Sequence, residues 1–585
     1  MREDRGCVWC VHQDDAYRQL QELRQGSLRY IRREERVADT KFQTHTVFNQ
    51  SSDYPGFNAY RSDPLLQLLT GDLADPTRQA LERHGRFCGS FEAHDLARLA
   101  NTEIPKLRRF DEKGRRLELV DYHPAYHALM RRSIADGLHA SVWSGPEEEE
   151  GRRHRSRAAR FYMTAGVECG HLCPITMTSA SVAAIAAAPA VRAAWMPVIA
   201  TRQYDPGVKP PLSKAGVTLG MGMTEKQGGT DVRANTTTAV AEGDGNYRVT
   251  GHKWFTSAPM SDGFLVLAQT GEGPTCFLMP RRRDDGSLNG LHFQRLKDKL
   301  GNRSNASSEV EFVDADATRL GAEGAGVRTI IEMVTLTRLD CALASAGLMR
   351  GALSEAVHHC RERSVFGKVL VDQPQMTRVL ADMALDVAAA SVLAFRLAEA
   401  FDGAAKRTEA DVAYARVMTP VAKYWICKMA PALVYEAMEC LGGNGYVEDG
   451  RLARAYREAP VNAIWEGSGN VIALDLARIL RRDPAAFEAV IAMIAADMGE
   501  TAGQTPGVLR AAMAMAASDE GACRLLAEQM ALAAATAAMC RLGLGRAAEA
   551  FAETRLGGVF RHTYGMLDRR HDSRALVDDL FPPIR

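Results

Sequence analysis

The chain has 585 residues, 46% hydrophobic and 25% charged, with 72 basic and 72 acidic side chains and a formal net charge of zero. That length is too great for one ordinary core and predicts three or four soluble domains. Balanced charge excludes a long-range field that would draw in nucleic acid or an anionic membrane, and Val182 to Ala200, the most apolar stretch, is broken by Pro189 and Arg192, which argues against a membrane span.

Residues 1–42 mix both charge signs, as in Arg32-Arg33-Glu34-Glu35-Arg36, and show no apolar signal core, so they are predicted to be an exposed helical or disordered extension. Cys7-Val8-Trp9-Cys10 with His12 has the spacing of half a metal or redox site, but no second pair follows it. Twelve cysteines without framework spacing fit reduced thiols, and the predicted location is cytoplasmic. Residues 43–215 follow a helical pattern punctuated by Pro and Gly, with Glu147-Glu148-Glu149-Glu150 on a solvated loop. Within them Cys169, His171 and Cys173 cannot converge from a helix, so packing or loop is expected there and no metal site is predicted.

Residues 216–322 change period. Phe264-Leu265-Val266-Leu267, Thr275-Cys276-Phe277-Leu278 and Glu309-Val310-Glu311-Phe312 are short strands between Gly, Asp and Pro turns, which predicts a compact β-domain. From 323 to 482 the period is helical. Met376, Leu380, Met383, Val387, Ala390, Ala394, Leu397 and Phe401 lay one apolar stripe along a helix, as in a bundle. Residues 483–585 form a further alanine-rich helical domain.

Three segments carry the chemistry. In Met221 to Val232, Thr224 and Thr230 offer hydroxyls while Gly228-Gly229 lets backbone approach a ligand that a Cβ would keep away. In the next, Tyr247, Val249 and Gly251 alternate with polar residues before Trp254-Phe255-Thr256-Ser257, a half-buried strand that can lay an aromatic face on the same ligand. Far downstream, Trp465-Glu466-Gly467-Ser468-Gly469-Asn470 places a glutamate on a flexible turn beside an indole, where desolvation would raise its pKa. Taken singly, each also fits an ordinary loop, core strand or solvated turn.

In order and spacing these segments, with Arg363-Ser364-Val365-Phe366-Gly367-Lys368 and Glu439-Cys440-Leu441-Gly442-Gly443-Asn444-Gly445-Tyr446, resemble the acyl-CoA dehydrogenase superfamily over roughly residues 44 to 480. Thr44-His45-Thr46-Val47-Phe48-Asn49-Gln50 and Lys299-Leu300-Gly301-Asn302-Arg303-Ser304-Asn305-Ala306-Ser307 look most like its AidB-type flavoproteins of the adaptive response to DNA alkylation. The resemblance implies an α+β multidomain fold: a helical domain, a middle β-domain and a four-helix bundle, here with an extra C-terminal helical domain. It implies FAD, with Glu466 taking the α-proton of a small acyl thioester while the β-hydrogen leaves as hydride to flavin N5. By the same resemblance Met221, Met223, Thr224, Gly229 and Thr230 contact the isoalloxazine. Phe255, Thr256 and Ser257 stack on it or hydrogen-bond it, and Trp465, Gly467, Ser468 and Asn470 flank it. Arg363 and Phe366 reach a neighbouring subunit's FAD near Gly442 and Gly443, which implies a homotetramer built as a dimer of dimers.

Departures from the family pattern shape the expectation. Val334-Thr335-Leu336-Thr337 stands where an acidic residue often precedes the arginine matched by Arg338, the expected substrate-side residue, and Glu439 stands where Gln is usual. AidB-type proteins also imply double-stranded DNA as a partner, yet Arg481 to Arg585 holds twelve Arg, no Lys and thirteen Asp or Glu. Arg555, Arg561, Arg569, Arg570 and Arg574 form a basic stripe or, with Asp568, Asp572, Asp578 and Asp579 among them, a salt-bridged face. Three functions stay open: an acyl-CoA dehydrogenase, a DNA-binding protective flavoprotein with little dehydrogenase activity, and an oxygen-reactive flavin oxidase of the same fold.

Overall fold

The computed structural model describes residues 44–144, 151–558 and 563–584. The N-terminal extension with Cys7, Cys10 and His12, the Glu147–Glu150 run and Arg561 lie outside the described residues. The chain divides into two compact units, Met1–Gln50 with Pro206–Val208, and Ser51–Asp205 with Lys209–Arg585. Every element below belongs to the second.

It begins with helices α1 (Pro64–Thr70), α2 (Asp75–Cys88) and α3 (Phe91–Thr102), followed by strands β1 (Lys106–Phe110) and β2 (Arg116–Asp121), then α4 (Pro124–Ala135), α5 (Arg153–Ala165), α6 (Leu172–Ile185) and α7 (Pro189–Ile199). Helix starts follow local chemistry. Asp63 accepts Leu66 N at 3.0 Å ahead of Pro64, and Ser90 accepts Ala93 N at 3.1 Å. The β1–β2 hairpin departs from the all-helical expectation for this segment. Its Glu118 is buried and accepts Phe293 N at 2.8 Å, so the hairpin is stitched to a strand of the β-domain rather than to the helices around it.

Strands β3 (Leu219–Gly222), β4 (Thr238–Gly243), β5 (Asn246–Ser257), β6 (Gly263–Thr270), β7 (Gly273–Pro280), β8 (Leu291–Leu296) and β9 (Ser307–Leu320) form one sheet, ordered β3-β6-β4-β5-β9-β7, with β8 on β9. β6 also pairs β7, so the ladder closes on itself. Alternation explains the cores. Phe264, Val266 and Ala268 face inward onto Phe277, Phe293 and Phe312, while Leu265 and Leu267 face outward onto Ile185, Trp195, Ile330 and Met333. β6 is buried on both faces, which is why it reads as an unbroken apolar run.

The bundle follows: α8 (Gly326–Glu362), a short hairpin of β10 (Ser364–Val365) and β11 (Lys368–Val369), α9 (Pro374–Ala405), α10 (Glu409–Cys440), α11 (Gly443–Tyr446), α12 (Leu452–Glu458) and α13 (Gly469–Arg482). The predicted stripe lies in α9, where Leu380, Met383, Val387, Ala390, Ala394 and Leu397 are all buried. A bidentate pair fixes α8 to α5: Arg157 reaches Asp340 at 2.6 and 2.7 Å, and Thr176 donates to the same carboxylate at 2.7 Å.

The last helices are α14 (Pro484–Met498), α15 (Thr505–Ser518), α16 (Cys523–Arg541), α17 (Gly545–Phe551) and α18 (Ser573–Leu580). α16 packs on α9 and α10, and α18 packs on α9. The basic stripe does not form here. Arg555 is buried and bonded to Asp382 and Asp386 of α9, Arg570 pairs with Glu553 and Asp568, and Arg574 with Asp372 and Asp578. Arg569 is exposed. Among the described residues no helix is long and apolar enough to cross a membrane.

Candidate functional site

The loop after β3 is held from beneath by a buried ion pair. Lys253 Nζ lies 2.7 Å from Glu225 Oε1 and 2.8 Å from the Leu267 carbonyl, both side chains being fully buried. Glu225 also accepts the backbone of Thr236 at 2.7 Å and of Thr237 at 3.2 Å. Burial opposes its ionisation, but these bonds prevail and bring it down to about 2. The loop from Met223 to Asn235 is thereby closed into a fixed shape with Thr224 and the glycines on its rim. A Cβ at Gly229 would fall 2.3 Å from Thr224 Oγ1, so only glycine allows that approach.

β5 brings the second element. Its register slips between Lys253 and Thr256, and Phe255 ends up 49% exposed although it lies in a strand of the closed sheet. Thr256 Oγ1 is buried without a hydrogen-bond partner, and a Cβ at Gly222 would sit 3.2 Å from it. Ser257 Oγ lies 3.3 Å from Ser307 Oγ.

The third element is the turn at Glu466, whose φ of +58° is stabilised from three sides. Thr337 Oγ1 donates to Glu466 Oε2 at 2.7 Å, Arg338 Nε donates to the Glu466 carbonyl at 3.0 Å, and Lys423 Nζ donates to the carbonyls of Trp465 and Gly467. Arg338, expected on the substrate side, has its guanidinium engaged here, since its Nη2 also reaches Asp475 at 2.7 Å. Its place in the structure is that of a clamp on the turn. Burial raises the pKa of Glu466, while the Thr337 hydroxyl, Arg338 and Lys423 pull it back.

These pieces meet. Met221, Met223 and Trp465 pack against one apolar cluster that includes Cys173. Burial pushes the Cys173 thiol up to about 11, and the nearby Glu466 carboxylate adds to that, while Ser257 hydrogen-bonds it. The result is an apolar floor of two methionines and an indole, the Ser257 hydroxyl and one desolvated carboxylate, with Thr224 and Thr230 on the adjoining loop, which the Thr224 carbonyl ties to Trp254 N at 2.8 Å, and Phe255 exposed on β5. That donor set fits a flat heteroaromatic ring with polar edges, as FAD presents. Ser468 and Asn470 lie exposed at the start of α13, where Arg524 of α16 approaches Asn470 at 3.4 Å.

The remaining predicted residues stand outside that cluster. Arg363 caps α8, Phe366 at the tip of the β10–β11 hairpin is fully exposed with φ +51°, and Gly442, φ +59°, leads with Gly443 into α11. Sequence reasoning missed Glu225, Lys253, Thr337 and Lys423. A signal existed for Lys253, which shares strand parity with the buried Tyr247 and Val249, and for Lys423, a charge inside the apolar run Val421 to Ile426. Thr337 carried none.

Residues 49–206 match the family model described as adaptive response protein AidB N-terminal domain, 220–315 the acyl-CoA dehydrogenase middle domain, and 324–481 the acyl-CoA dehydrogenase C-terminal domain. The AidB protein of Escherichia coli (strain K12) is 47% identical over 449 residues, 76% of this chain and 82% of that protein. Acyl-CoA dehydrogenase family member 11 of Caenorhabditis elegans is 32% identical over 445 residues, 72% of this chain and 70% of that one. The solved structure of Caenorhabditis elegans ACDH-11 in complex with C11-CoA superposes with a TM-score of 0.79 at 25% identity, covering 93% of this chain and 99% of that one. An acyl-CoA dehydrogenase complexed with FAD from Bacillus anthracis shares the fold, with a TM-score of 0.63 at 16% identity and 86% of each chain covered.

Proposed function

The chain belongs to the acyl-CoA dehydrogenase family as an AidB-like, FAD-dependent oxidoreductase acting on CH–CH donors, and from that premise we propose that Glu466 removes the α-proton of an acyl thioester. The observation that carries this reading is the Glu466 carboxylate itself: desolvated, aimed by Thr337, and set on a turn whose backbone Arg338 and Lys423 hold. When bound, FAD supplies the acceptor for the hydride that leaves the β-carbon.

This chain's residues divide the work. Burial makes Glu466 a stronger base toward a carbon acid than a solvated carboxylate. Met221, Met223, Phe255 and Trp465 exclude water and present apolar faces to the ring. Thr224, Thr230 and Ser257 orient its polar edge, and the Glu466 backbone N–H is the donor for negative charge developing on the thioester oxygen. A CoA thioester as substrate class is supported by the Caenorhabditis elegans relative solved with C11-CoA.

The family model that names an adaptive response protein supports a role in the response to DNA alkylation. Direct grip on duplex DNA finds no support in Arg555, Arg570 and Arg574, whose charges are paired within the chain. Arg363 and Phe366 support a tetramer in which each FAD is completed by a neighbouring chain. The deciding experiment is anaerobic titration of the FAD-loaded protein with short and branched acyl-CoAs: bleaching of the flavin that disappears in Glu466→Gln supports the assignment, and no bleaching with any acyl-CoA refutes it.

A further inference from the structure

Behind Ser257 lies a second row of polar atoms. Ser307 Oγ, 3.3 Å from Ser257 Oγ, accepts a hydrogen bond of 3.0 Å from Lys299 Nζ, which also donates to the Asn305 carbonyl. An ammonium has three donors and no acceptor, so the direction of the chain is set at its end. Ser307 Oγ accepts a hydrogen bond from Lys299, and its own proton is used if it points to Ser257 Oγ. That leaves the Ser257 proton for a bound ligand. The other neighbour of Ser257, the Cys173 thiol, is a weak acceptor that a ring nitrogen or carbonyl outcompetes.

We propose that Lys299 is a positioning residue that makes Ser257 a hydrogen-bond donor toward the bound flavin, acting through Ser307. The inference rests on the flavin reading of the site. It adds a half-buried charge, three hydrogen bonds away from the ring, that aligns the two intervening hydroxyls. Aligned hydroxyls polarise one another, so the effect at Ser257 exceeds that of an isolated serine.

The same chain is a proton-dependent device. Burial lowers Lys299 to about 8, partly offset by the groups that face it: Cys173 of α6, and Glu458 of α12, itself raised to about 7 by burial and bonded to Asn302 at 2.6 Å. A neutral amine has a lone pair, so above that pH the chain can reverse and Ser257 is released. Arginine in place of lysine stays charged throughout.

The test is the visible spectrum of the FAD-loaded protein from about pH 6 to 10, because flavin bands respond to hydrogen bonding at the ring, with the spectrum of free FAD over the same range marking any release of the cofactor. Wild type is expected to pass through one transition near pH 8. Lys299→Arg should hold the low-pH spectrum throughout, and Lys299→Met and Ser307→Ala the high-pH spectrum. Glu458→Gln should keep the transition at a lower pH, since it removes a charge that favours the ammonium. An invariant wild-type spectrum, a transition that survives in Lys299→Met and Ser307→Ala, or one abolished by Glu458→Gln overturns the proposal. Failure of the wild type to take up FAD overturns the flavin reading instead, so the two failures are distinct.

Discussion

Thr337 Oγ1 and Glu466 Oε2 stand 2.7 Å apart although 129 positions separate them, and this hydroxyl is the direct hydrogen-bond donor that favours the charged form of the base. Thr337→Val keeps the shape and removes the donor. One hydrogen bond to a carboxylate is worth about 1.5 kcal/mol, or about one pH unit. The acid limb of the kcat/KM profile against pH is therefore expected to move up by about one unit, with FAD content unchanged.

Glu466→Gln should lower turnover of an acyl-CoA by about 10²–10⁴-fold, the contribution typical of a positioned general base. Stability should move the other way. Burial places the folded-state pKa of Glu466 above its unfolded value, so the stability linked to its protonation is present at low pH and is lost as pH rises through the folded value. Glutamine has no such loss. The variant should melt at or above the wild-type temperature at neutral pH, and the difference should vanish in acid; thermal melts across that range check it.

Breaking the Glu225–Lys253 pair leaves one charge buried alone. Glu225→Gln or Lys253→Met is expected to cost about 3–5 kcal/mol, whereas Glu225→Leu with Lys253→Met should cost less than either alone. Chemical denaturation measures the energies. Loss of FAD from the single variants at low denaturant would show that the loop opens first.

Phe366 is fully exposed within its own chain, so Phe366→Ala should change the stability of the isolated chain by no more than about 0.5 kcal/mol. If a neighbouring chain's FAD covers it, the same change should cost about 2 kcal/mol or more in FAD retention. Light scattering on the wild type should report four 63.9 kDa chains. A monomer that retains FAD through gel filtration would contradict the shared site.

Because Arg555, Arg570 and Arg574 are paired with carboxylates, that C-terminal stripe offers few free cations to displace counterions. Binding to a DNA duplex, followed by anisotropy from about 50 to 200 mM salt, should be weak, with a log–log slope shallower than about −3. A slope near −6 would require a basic surface elsewhere on the protein.

Local sequence fixed much of this protein without any fold in view. Alternation placed Tyr247 and Val249 in a half-buried strand, the apolar run Phe264 to Leu267 marked a strand of a β-domain, a three-to-four period placed Leu380 to Leu397 on the buried side of a long helix, and the Trp465–Gly469 turn marked where a glutamate could be exposed to a ligand. Such features depend on neighbours within a few residues, so their period and turn chemistry survive in the linear text. The β1–β2 hairpin escaped detection because Glu118 gains its partner in β8, and Arg555 was misjudged as a surface charge because its two aspartates lie on α9.

Only the tertiary structure decided what surrounds Glu466. Thr337 and Arg338 come from α8 and Lys423 from α10, two long helices that pack on each other, and Asp340, three residues beyond Thr337, locks α8 to Arg157 and Thr176. Whether a hydroxyl, a guanidinium or solvent faces a carboxylate depends on how helices dock. Docking is settled by buried area and paired charge summed over the whole bundle, quantities that no short stretch of sequence contains.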